Sequence, residues 1–205
     1  MSEPAKDPFE LSEVNRVRIS TATLACVSGL SLLLNLAATA WLNASYAASR
    51  FPVPYHTAQL SFDATRIKNW YAYLIAQDTL AIYWQTQLID FGFIATVLLL
   101  HVSVLWLVAR LFEVDSLGRH RMQVIAVLSG VAPLADALEN LVSFVMLSDP
   151  AGFPDSLALV YSSFAATKFA FFVLAYVALP VGVMAGLVSQ WRRRREAKLP
   201  GRPRA

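Results

Sequence analysis

Four apolar stretches, at about residues 19–44, 83–109, 122–147 and 157–188, each exceed the ~20 residues a helix needs to cross a bilayer. No other property restricts the fold as much. Inside hydrocarbon every backbone N–H and C=O needs a partner within the chain, and a long apolar run meets that demand as a helix. Composition agrees: 57% of residues are apolar and 15% charged, against about 45–50% and about 25% in a soluble domain. The sequence therefore predicts an all-α, polytopic membrane protein. Residues 19–190 should form one four-transmembrane-helix bundle, flanked by a tail over 1–18 and a basic tail over 191–205. The first run exceeds the about 7–15 residues of a signal-peptide core, although small residues at 44–48 would suit cleavage. Both readings stay open.

Polar residues inside these runs are costly and so carry information. The third run contains Asp136, Glu139 and Asn140, which fall on one helix face that Ser129 and Ser143 extend at heptad spacing. A carboxylate at mid-membrane costs roughly 2.5–3.5 kcal/mol on insertion scales, so it needs a partner or a wet cavity. Asp90 lies early in the second run, sharing a face with Tyr83, Thr86, Gln87 and His101, and Lys168 lies in the fourth. His101 is eleven residues beyond Asp90, about 16 Å along a helix, so the two cannot touch. Ser28, Ser31, Asn35 and Thr39 line one side of the first run, where hydroxyl and amide groups commonly bond neighbouring helices.

Charge gives an orientation. Basic residues cluster before the first run, between the second and third (Arg110, Arg119, Arg121) and after the fourth. They are absent from 148–155 and sparse in the long loop 45–82. The positive-inside rule then puts both termini in the cytoplasm, in the inner membrane of a bacterium if the source is one. With spans three and four joined outside, Asp136 and Lys168 both fall about 16 Å deep and Glu139 about 12 Å deep. Lys168 is the expected counter-ion of Asp136 or Glu139. One lysine against three carboxyls leaves at least one acid expected to hold a proton near neutral pH. The loop, opened by Phe51-Pro-Val-Pro54, should hold one or two short interfacial helices; its Trp70, Tyr71 and Tyr73, with Tyr83 and Trp84, fit either an aromatic belt or a cover over the bundle.

These positions resemble a group of small bacterial four-span membrane proteins of unassigned function. The group carries an acid early in span two, a Pro/Asp-x-x-Glu-Asn motif in span three and a Thr-Lys-aromatic run in span four. The counterparts are Asp90, then Pro133, Asp136, Glu139 and Asn140 with one residue fewer between proline and aspartate, and Thr167-Lys168-Phe169. The likeness spans roughly 57–180, with Leu80 where the group often has an arginine. It implies an architecture and a polar centre, but no reaction.

Asp90, Asp136, Glu139, Asn140 and Lys168 are thus the binding or proton-exchange candidates, with Tyr83, Gln87, His101 and Asn35 secondary. They suit binding or transport of a small molecule, a lipid or a proton. An ion-pair lock in a structural or accessory subunit is the alternative. A membrane enzyme fits less well, since no nucleophile is paired with a base and no phosphate loop appears. No cofactor or metal is expected; Cys26 is the sole cysteine, read as an apolar packing residue. Trp191 with Arg192, Arg193, Arg194 and Arg195 reads as a membrane-surface anchor attracting anionic lipid rather than nucleic acid. Oligomeric state is left open.

Overall fold

The computed structural model describes residues 19–198, and among them every regular element is helical. The expected tail over 1–18 and the last residues, 199–205, lie outside the described residues. Four membrane-length helical stretches are present, so the chain is a multi-pass membrane protein.

Helix α1, Thr21–Ser49, starts at Ser20, whose hydroxyl accepts from the Thr23 amide at 2.9 Å. It runs past residue 44 and ends where Arg50 turns left-handed (φ 56°). The small residues at 44–48 therefore lie inside the helix. α1 packs along α4, Leu80–Ala109, and hardly touches the rest. Its polar stripe makes that contact as expected: Ser28 donates to Ser103 Oγ at 3.0 Å and Asn35 to Thr96 Oγ1 at 3.1 Å. Leu30, Leu33, Leu36 and Trp41 on the other side are exposed, as lipid-facing residues should be. Cys26 is exposed on this surface, which corrects its reading as a packing residue.

The long loop folds into α2, Tyr55–Gln59, and α3, Ala64–Ala76. Asp63 caps α3 by accepting from the Arg66 amide at 3.1 Å. At the other end Asp78 (φ 56°) closes the helix, with Thr79 N–H on Leu74 O and Asp78 N–H on Ile75 O, the double bond pattern that ends a helix sharply. Ile67, Tyr71 and Leu74 on α3 are buried with Met146, Leu147, Phe153 and Tyr161. The loop is therefore core-forming structure at one end of the bundle. It is pinned to α7, Asp155–Glu196, by Lys68 on Asp155 at 2.7 Å and by the Phe62 amide on Ser162 Oγ at 3.1 Å.

The third span differs from expectation. It is broken into α5, Leu117–Leu128, and α6, Val131–Ser148. Pro133 explains the break: its ring would collide with the carbonyl of residue 129 in a continuous helix, and it has no N–H to donate. In the first turn of a new helix neither defect matters. α5 packs mainly on α4, whereas α6 packs mainly on α7. The fourth span also departs from its expected end. α7 is one helix of 42 residues that contains Pro180 and continues through the arginine run.

Near the α4–α5 turn, Gly182 and Gly186 of α7 are buried against Met122, Val108 and Leu111. A Cβ on Gly186 would lie 2.5 Å from the Leu111 Cβ, so the small residues let α7 approach this closely.

Candidate functional site

α6 is the hinge of the site because it faces both α4 and α7. Its Asp136 and Glu139, one turn apart, reach Lys168 on α7. The Lys168 ammonium donates to Asp136 Oδ1 at 2.8 Å and stands 2.5 Å from Glu139 Oε2. Alignment suits a hydrogen bond only toward Asp136; the Glu139 contact is an ion pair at close range. Toward α4, Asn140 donates through Nδ2 to Asp90 Oδ2 at 2.8 Å. All five side chains are buried, Glu139 completely. The expected pairing of Lys168 is present, and Asp90 is tied to the cluster through an amide rather than a cation.

The five residues divide. Asp90, Asp136 and Lys168 line a cavity of about 190 Å³; Glu139 and Asn140 do not. Glu139 instead lies among packed phenols, near Tyr71, Tyr83 and Tyr161, and its Oε1, together with Asn140 Oδ1, lacks a hydrogen-bond partner among the described residues. Tyr71, on α3 outside the spans, is held as a neutral phenol by burial, which pushes its ionisation upward.

The cavity lies between α1 and α7, with α4 behind it. α1 contributes Thr39, Asn43 and Tyr46; α4 contributes Tyr83, Thr86 and Gln87 beside Asp90. α7 contributes Phe172 and Tyr176, one and two turns beyond Lys168. Tyr55 and Gln59 of α2 close the loop end, and Gln59 Oε1 is buried without a hydrogen-bond partner among the described residues. Phe51 joins this cover to the bundle, with ring centroids 4.7 Å from Tyr83 and 6.0 Å from Trp70. Of the aromatics expected to belt or cover the bundle, only Tyr83 lines the cavity; Tyr71 is buried beneath α3, and Tyr73 and Trp84 are exposed.

Among the secondary candidates, Tyr83 and Gln87 belong to the cavity and the others do not. Asn35 is spent on Thr96. The His101 ring sits edge-on to Phe172 and Tyr176, with centroids 5.6 and 5.3 Å away, and does not line the cavity. Sequence reasoning did not single out Asn43, Gln59, Phe172 or Tyr176. Phe172 and Tyr176 were visible in principle, since 168, 172 and 176 recur every four residues on one helix face. Gln59 was not, because its position depends on how the loop folds back.

At the opposite end, Arg193 donates to Leu111 O at 2.8 Å, Arg195 stacks on Trp191 at 3.7 Å, and Arg110 reaches Thr21 Oγ1 at 2.7 Å and the Ile19 carbonyl. Arg192 and Arg194 are exposed. One arginine of the run therefore holds the α4–α5 turn, and a second stacks on Trp191.

Fold and site together define a four-span membrane protein with a cavity built on a buried ion cluster. No family model, curated protein or solved structure matches the chain.

Proposed function

We propose that the protein binds a small molecule, or passes a small molecule, lipid group or proton, in the cavity between α1 and α7. The observation that carries this reading is Asp90. It is a membrane-helix carboxylate with no cationic partner among the described residues, and it faces a cavity of about 190 Å³. An ionisable group in that setting is functional by default. For scale, a cavity of about 150 Å³ holds a benzene molecule, and each water takes about 30 Å³. The space suits a compact organic group or a handful of waters serving as a proton path.

A structural reading draws on the other part of the cluster. Glu139 and Asn140 are packed away from the cavity, where they suit a lock on helix register better than a ligand contact. The two readings concern different residues and can hold together.

The setting we propose is a bacterial inner membrane with both ends cytoplasmic, within the four-span group that carries the Asp-x-x-Glu-Asn motif. Support comes from the meeting of that group's motif positions, Asp90, Asp136, Glu139, Asn140 and Lys168, from three separate helices. Arg110, Arg119, Arg121 and Arg192 to Arg195 gather at the bundle end away from the cover, against Arg50 and Arg66 at the cover end, which supports the orientation.

Calorimetric titration of the detergent-solubilised protein with benzyl alcohol tests the cavity, using Thr39→Phe, which fills it, as the blank. Saturable heat in the wild type that Thr39→Phe loses is the expected result. Identical traces for the two proteins would defeat the reading.

A further inference from the structure

We propose that the ligand is a small organic monocation, an ammonium group on a compact apolar or aromatic body, and that Asp90 is the residue that recognises its charge. This rests on the cavity being a binding site, as argued above.

The first argument is charge balance. Among the described residues the cluster holds one cation and three carboxyls. Lys168 is engaged at 2.8 and 2.5 Å by two of them, both on α6. The third, Asp90, is 8% exposed and receives only the Asn140 amide on Oδ2. A carboxylate so far from water is stabilised by a counter-charge, and the cavity is where one can arrive. An anionic ligand meets the opposite situation. The Lys168 charge is already neutralised, and Asp90 and Asp136 both face the space the anion would enter.

The second argument is the lining. Beside the Asp90 carboxylate the lining holds a second acceptor, Gln59 Oε1, buried with no partner among the described residues, while the Tyr46 hydroxyl is occupied in donating to Val53 O at 2.7 Å. An ammonium supplies the N–H groups such acceptors lack. Phe93, Phe172 and Tyr176 add aromatic faces, which attract a cation most strongly where water is excluded. The third argument is size. About 190 Å³ admits a body little larger than benzene. α1 and α7 barely touch, so the wall between them leaves room for a longer substituent.

The test uses three probes of nearly the same shape, benzylammonium, benzyl alcohol and benzoate. Each is titrated calorimetrically into the full chain in neutral detergent, with Thr39→Phe as the blank. Benzylammonium should bind at least tenfold more tightly than benzyl alcohol, and benzoate should not bind. In Asp90→Asn, which keeps an oxygen for Asn140, the preference for benzylammonium over benzyl alcohol should shrink to within about twofold. A melting curve confirms that the variant is folded, and the probe series on the wild type stands whether it is or not. If benzyl alcohol enters the cavity but benzylammonium gains nothing, or if Asp90→Asn keeps the preference, the cation assignment is overturned and the cavity reading survives. If sodium at equal concentration displaces benzylammonium completely, the site is for an inorganic ion and the organic assignment is overturned. If none of the three gives heat beyond the blank, both readings fall.

Discussion

The two halves of the bundle solve the same packing problem in opposite ways. In the half that carries the α4–α5 turn, Leu105, Val108, Met122, Ala126 and Ala175 form an apolar cluster, and Gly182 and Gly186 draw α7 against it. In the half beneath α2 and α3, which has an apolar cluster under α3, a cavity separates α1 from α7 and charged side chains join α6 to α7. The break between α5 and α6 falls near the border and moves the third span from α4 to α7. Lipid tails are as apolar as leucine, so apolar matching gives helices little reason to associate in a bilayer. Close approach through small residues and polar bonds across helices supply that reason. The closed half uses the first device, the open half the second, and only the second leaves space for a ligand.

Substitutions that remove one partner of the ion cluster should have the largest effect. Lys168→Met strands Asp136 and Glu139 with no cation, and breaking a buried pair in this way costs about 3–5 kcal/mol. Folded yield and melting temperature in detergent should both collapse. The triple variant Lys168→Met/Asp136→Asn/Glu139→Gln, with no charge to bury, should regain most of the loss. Failure of the triple variant would mean that the open half needs the charges themselves and not only their mutual neutralisation.

The closed half should fail by crowding. Gly186→Ala places a Cβ 2.5 Å from the Leu111 Cβ, and overpacking of this kind costs about 1–3 kcal/mol. Gly92→Ala meets nothing within 4 Å on α4 and should be neutral or raise stability by up to about 1 kcal/mol, since alanine is the better helix former. Melting curves that move equally for both would show that α7 is not held by close approach, and the contrast between the halves would lose its basis.

How much of this was legible follows from what each residue depends on. The four spans, the hydroxyl stripe of α1 and the pairing of Lys168 with α6 carboxylates could be read because hydrocarbon penalises each exception locally and names its remedy. The break at residues 129–130 was equally local, with Gly130 three residues before Pro133, yet the length of the apolar run concealed it. The continuation of α7 to Glu196 also had a local cause: arginine is a good helix former, and positive charge suits a helix C-terminus. The division of the cluster into a cavity side and a packed side was not legible, because it depends on where α1 and α2 come to rest. His101 shows the same limit from the other direction. It shares a helix face with Asp90, but the rings of Phe172 and Tyr176 occupy its surroundings.

The smallest effect tests whether polar bonds outside the ion cluster matter to the open half. Asn35 joins α1 to α4 through Thr96 and does not line the cavity, while Thr39, one turn further, does. Interhelical hydrogen bonds in membranes average about 0.6 kcal/mol, reaching about 1.7. Asn35→Leu should therefore lower the melting temperature slightly, far less than Lys168→Met, and leave ligand binding in the cavity unchanged. A large loss of binding without a matching loss of stability would show that α1 positions the cavity wall through this one bond. The open half would then depend on the seating of α1 as much as on the cluster beneath it.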